Sequence, residues 1–143
     1  MELSFAFFAD SAVVPPDGKF YALGGGFSTL ALPQLPGRAG FAVVAGFRFG
    51  PNDVGQTQQV ELRLVDSEGK LVIPAASLQF QSSGARLEPG QEVSISTVTV
   101  LQPMFGEPGT YTAEFWAGSV RLTGINLHVV ERQPPPVAGP RPN

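Results

Sequence analysis

Apolar and polar residues alternate along this chain in short runs, and no window carries apolar residues at the three-to-four spacing of a helix. The clearest run is Phe41–Phe49, where Phe41, Val43, Ala45, Phe47 and Phe49 all point one way if the backbone is extended. Val60, Leu62 and Leu64 repeat the pattern, with Glu61 and Arg63 turned outward. Over 110–117, Tyr111, Ala113, Phe115 and Ala117 share one face, and Thr112, Glu114 and Trp116 the other. The same rule groups Leu3, Phe5 and Phe7 in a first strand over 3–9. Further strands are predicted over 19–23, 27–32, 71–73, around Leu78 and Phe80, and over 93–101 and 120–130.

Two of these runs change phase. In the first, Val93 and Ile95 give way to Val98 and Val100; in the second, Val120 and Leu122 give way to Ile125, Leu127 and Val129. A one-residue change of phase moves side chains to the opposite face, so bulges or sheet switches are predicted at Ser96-Thr97 and at Thr123-Gly124. Turn chemistry separates the runs. Pro15-Pro16-Asp17-Gly18 is a tight turn, Asp66 to Lys70 a hairpin loop, and Gly118-Ser119 a two-residue hairpin with glycine first. The sum is an all-β domain of eight or nine short strands, expected as an immunoglobulin-like or C2-like two-sheet sandwich over 1–132. Beyond it, 133–143 holds five prolines and reads as an extended polyproline-like tail.

Composition narrows the function. The 143 residues are 43% hydrophobic, enough for a core. The net charge is only −3, and Lys19 and Lys70 are the sole lysines, so no basic stripe exists to neutralise phosphates and nucleic-acid binding is not expected. With no cysteine there is neither a disulfide nor a thiolate centre. The opening residues, Met1-Glu2-Leu3-Ser4-Phe5, lack the basic and then continuously apolar character of a secretion signal. A cytoplasmic protein, or one assembled from the cytoplasm, is expected, without a membrane span.

The chemistry-bearing residues are few. His128 is the only histidine and is expected on the solvent side of the last strand with Asn126 and Val130. Asp17, Asp53 and Asp66 sit in turn contexts where a carboxylate satisfies local amides, and Asp10 stands alone, so no metal site is expected. Gly24-Gly25-Gly26 leads into a strand, not a helix, and reads as a bend at a strand junction, not as a phosphate loop. No catalytic constellation and no cofactor site is found. Trp116, opposite Tyr111 and Phe115, is the candidate exposed aromatic, with Tyr21 as a second; either suits a partner protein or a sugar ring.

Several stretches resemble a widespread family of small, uncharacterised bacterial β-proteins. They are Ala9-Asp10-Ser11-Ala12, Asp17-Gly18-Lys19, Gly24-Gly25-Gly26, the run from Val60 to Lys70, Leu87-Glu88-Pro89-Gly90 and Pro108-Gly109-Thr110-Tyr111. The last of these is similar to the lead-in to late strands of many immunoglobulin-like domains. Members often open Cys-Asp-Tyr-Ala where this chain has Ala9 and Ser11 in place of the cysteine and tyrosine. The family brings no established activity, so the resemblance implies the fold alone. The expected role is a non-catalytic structural or protein-interaction module, as a homo-oligomer or a subunit of an assembly such as a virion or shell. Trp116, Tyr21 and the tail residues Pro134, Pro135 and Pro136 are its candidate contact surface. The alternative is a sandwich that binds a carbohydrate or other small ligand.

Overall fold

A computed structural model of the chain describes residues 1–81, 86–134 and 139–140. Twelve strands occur among these: β1 (Glu2–Ala9), β2 (Ser11–Val13), β3 (Tyr21–Leu23), β4 (Thr29–Leu32), β5 (Gly37–Arg38) and β6 (Phe41–Phe49). The remainder are β7 (Thr57–Val65), β8 (Ala76–Gln81), β9 (Val93–Leu101), β10 (Met104–Phe105), β11 (Gly109–Ala117) and β12 (Val120–Glu131). The protein is all-β, as expected. The excess over eight or nine strands lies in two- and three-residue ladders, β2 with β3 and β5 with β10, of which only β3 falls within a predicted run, 19–23.

Two sheets carry the core. One has the order β1-β6-β9 and the other β4-β12-β11-β7-β8, with only the β4–β12 pair parallel. The row predicted on β6, Phe41 through Phe49, is buried against Val60, Leu62 and Leu64 of β7, Phe115 of β11 and Leu127 of β12. Phe47 sits at its centre, with ring centroids 4.7 Å from Phe80 and 6.1 Å from Phe115. Each such side chain taken wholly out of water stabilises the fold by about 2–3 kcal/mol before entropy is counted.

The opposite face of β6 is covered as well: Ala42 and Val44 are 1% and 0% exposed. The β2–β3 hairpin and the glycines after it fold over this side. Phe20 packs on Phe5 and Phe7 at 5.5 and 5.7 Å, and a Cβ at Gly25 would lie 3.1 Å from the Phe7 ring. This corrects the grouping of Leu3, Phe5 and Phe7. Ser4 is an extra residue between the pairs Leu3↔Phe47 and Phe5↔Gly46, so Leu3 faces the core while Phe5 and Phe7 face the hairpin.

The two phase changes resolve differently. β12 does bulge, but at Leu122, which lies between the pairs Phe115↔Thr123 and Trp116↔Arg121, one residue ahead of the predicted step. Along β9 there is no bulge: nine pairs run unbroken from Phe41↔Leu101 to Phe49↔Val93. There the inward row continues through Thr97 and Thr99, and Val98 and Val100 face out. Threonine fits the pleated surface as valine does, and the Thr97 hydroxyl donates to the Ala45 carbonyl at 3.3 Å. Residues 71–73 also fall short of the strand predicted there. Asp66 closes the loop by accepting the Glu68 and Lys70 amides, each at 2.9 Å. The pairing beyond it stops at the Leu71–Val65 bridge and the Val72 amide on the Leu64 carbonyl, just before Pro74, which has no amide to donate.

The other turn carboxylates behave as expected. Asp17 accepts the Lys19 amide at 2.9 Å. Asp53 ends a single 3-10 turn and accepts the Gly50 amide and the Met1 ammonium, both at 2.9 Å. The hydrogen bond from that ammonium, followed by the Gly50 amide, holds the Asp53 carboxyl below the usual carboxylate range. Gly24 adopts φ 63°, and Gly26 donates to the Phe8 carbonyl at 2.8 Å, so the glycine run is a bend laid along the edge of β1.

Candidate functional site

The outer face of the five-stranded sheet holds the residues around Trp116. Register puts Trp116 beside Glu61 and Glu114 beside Arg63, so four polar or aromatic side chains from β7 and β11 meet on one surface. The Trp116 indole N–H donates to Glu114 Oε2 at 2.7 Å, and the Arg63 guanidinium lies over the indole ring at 4.8 Å. Arg63 is held there by Glu61 at 2.6 Å, and Arg121 approaches Glu114 at 3.8 Å. Two carboxylates and two guanidiniums balance in charge, and Trp116 is half-buried beneath them.

The bulge at Leu122 helps to bring Arg121 onto this face. A Cβ at residue 124 would run into the Arg121 guanidinium and lie 3.1 Å from Thr112 Cγ2. Gly124 is thus required for close approach: its φ is not in the left-handed region. Farther along the same face, Thr112 donates to Asn126 at 3.0 Å and Thr110 contacts His128 Nδ1 at 3.0 Å. His128 is exposed, as expected, and its hydrogen-bond partner is a hydroxyl.

Tyr21 lies on the opposite side of the molecule, on the hairpin that covers the three-stranded sheet. Its pair across the hairpin is Val13, and Leu23 follows two residues on, so all three point outward on one face. They are 55%, 55% and 74% exposed in the order Val13, Tyr21, Leu23. Beneath them Ala12 and Ala22 turn inward. Pro134 is exposed just past β12, whereas Pro135 and Pro136 lie outside the described residues.

The structure therefore does not unite the candidate residues: Trp116 and Tyr21 occupy opposite outer faces. Sequence reasoning missed Arg63 and Arg121 as neighbours of Trp116, because their approach depends on register between strands, which alternation within a strand does not encode. It also missed Val13 and Leu23. A signal existed there, since Val13 and Tyr21 flank the Pro15-Pro16-Asp17-Gly18 turn symmetrically enough to pair.

Residues 4–130 match the model of a family of unknown function, DUF6941. The chain belongs to that family. DUF6941 thus accounts for nearly the whole of both sheets, from β1 into β12. No curated protein and no solved structure matches the chain. Among the described residues, no helix is long and apolar enough to cross a membrane.

Proposed function

We propose that this member of DUF6941 is a non-catalytic protein-interaction module whose contact surface is the outward face of the β2–β3 hairpin. The observation that carries this is the exposure of Val13, Tyr21 and Leu23 together on one small face. Three adjacent apolar side chains left in water are costly to a monomer and are recovered when a partner covers them. In this reading the module is a subunit of a larger assembly such as a virion or shell, formed from the cytoplasm.

The finer fold reading is an immunoglobulin-like sandwich. Its support is the strand order, which matches the split of early and late strands between two sheets in that fold. Tyr111 adds to it: buried near the start of β11, it donates its hydroxyl to the Glu107 carbonyl four residues upstream at 2.7 Å, as a tyrosine corner does. Ala113, two residues on and 0% exposed, stands where antibody domains carry their second cysteine. In this reading the domain ends at Arg132; in support, its amide makes the last sheet bond among the described residues, to the Leu32 carbonyl at 2.6 Å. The proline-rich segment 133–143, most of which lies outside the described residues, is a second contact element in this reading.

The test compares proteins captured from the native source by the wild-type chain, by the triple variant V13S/Y21S/L23S and by W116A. The reading expects a partner retained by W116A and lost by the triple variant. Identical capture by all three overturns it. A glycan-array signal abolished by W116A would instead support the carbohydrate alternative, which requires Arg63 to leave the indole face it now covers.

A further inference from the structure

We infer that β9 is a strand-pairing edge and that its occupant is a second copy of this chain, β9 against β9 about a two-fold axis at Thr97. The inference stands apart from the hairpin reading and shares only Val13 with it. β9 ends the three-stranded sheet, and among the described residues no strand pairs its outer side. It is nine residues long with an unbroken ladder to β6, and its sequence, Val-Ser-Ile-Ser-Thr-Val-Thr-Val-Leu, holds no charge and no proline. Edges that must stay single are guarded by charges, prolines, bulges or brevity. β1 has such protection: it starts with Glu2, bulges at Ser4 and is closed by backbone bonds from Gly26 to Phe8 and from Asp10 to Gly24. β4 is only four residues long. β9 has none of these devices.

There is also room for an incoming strand. A groove of about 520 Å³ runs between β8 and β9, bounded by Leu78, Phe80, Ser96, Thr97 and Val98, with Val13 and Val14 at its lip. An uncharged, β-branched edge fits an uncharged, β-branched partner, and β9 is itself such a segment. Antiparallel self-pairing centred on Thr97 sets Thr97 against Thr97, Ser96 against Val98, Ile95 against Thr99, Ser94 against Val100 and Val93 against Leu101. Every pair joins β-branched, aliphatic or hydroxyl side chains, which are favourable cross-strand neighbours, and Val100, 65% exposed, gains cover. Self-pairing usually fails when a strand brings a charge against its own copy. Here the nearest charge, Glu92, is engaged by Arg48 at 3.6 Å and falls opposite Gln102. The product is an isologous dimer with one continuous six-stranded sheet.

Sedimentation of the full chain over a range of concentrations should show a reversible dimer. V98K, on the outward side of the strand, should raise its dissociation constant at least tenfold while the melting temperature of the chain holds. Mixing V98K with V98E should restore dimerisation. Because the chain has no cysteine, T97C reports independently: at 4.5–5.5 Å between Cα atoms across the axis it should oxidise to a disulfide-linked dimer, and L23C at equal concentration should not. A chain that stays monomeric at its highest soluble concentration overturns the inference. So does a dimer that V98K leaves intact and V13S/Y21S/L23S abolishes, an outcome that would move self-association to the hairpin and leave the hairpin reading standing.

Discussion

The two outer faces of this protein treat their aromatic residues in opposite ways. On the five-stranded sheet, Trp116 is bonded through its indole N–H to Glu114 and covered by Arg63. On the far side, Phe5, Phe7 and Phe20 serve as a foundation on which the β2–β3 hairpin rests, and Tyr21 with Val13 and Leu23 is then left in water. Both faces alternate in the sequence, and both carry an aromatic residue. The difference is what the neighbouring strands supply: Glu61, Arg63, Glu114 and Arg121 on one side, and only Ser11, Ala12 and Ala22 on the other. An outward aromatic stays open to contact where register gives it no charged neighbour. That favours the hairpin over Trp116.

The largest effect is expected at the foundation. Phe7 packs on Phe5 and Phe20 and leaves no room for a side chain at Gly25, so Phe7→Ala opens a void between the hairpin and β1. The expected loss is about 2–3 kcal/mol, below the full cost for a wholly buried phenylalanine because Phe7 is half-buried. Urea unfolding checks it. A loss under about 0.5 kcal/mol, the level of an ordinary surface substitution, would mean that the hairpin is not anchored by this cluster.

Next in size is Gly124→Val on the polar face. The new side chain must displace the Arg121 guanidinium and press on Thr112, with an expected cost of about 1–3 kcal/mol. Gly124→Ala should cost less but still expel Arg121, since the Cβ alone occupies its place. Equal stability for all three residues would show that Arg121 has no fixed position, and with it that the polar network around Trp116 is loose.

Much of the fold was legible in the sequence, and the exceptions share a cause. β6 and β11 follow strict alternation and appear as predicted to within a residue, because one face of each is core. β1 misled because its extra residue, Ser4, is polar and leaves no gap in the apolar row. β9 misled in the opposite sense: Thr97 and Thr99 hold inward positions that a simple apolar count assigns outward. In both, the information lies in the partner strand. The site was less legible still. That Trp116 faces outward followed from Tyr111 and Phe115, but its cover by Arg63 needs β7 and β11 in known register, and the opposition of Trp116 and Tyr21 needs the whole topology.

The smallest effect tests the cover itself. Arg63→Ala removes the guanidinium from the indole and frees Glu61, and an exposed cation–π contact of this kind contributes about 0.5–1 kcal/mol. The stability change should therefore be slight. The optical change should not be: Trp116 is the only tryptophan, so its emission reports this one environment and should shift to the red as water reaches the ring. Arg63→Lys should restore charge but only part of the shielding, because an ammonium does not stack on the ring as a planar guanidinium does. If Arg63→Ala leaves the emission unchanged, Trp116 is shielded by something other than Arg63, and its face is no more available to a ligand in the variant than in the wild type. If the emission shifts and the variant then captures a partner or a sugar that the wild type ignores, Arg63 is what keeps the polar face closed, and the contrast with the open hairpin face reduces to a single side chain.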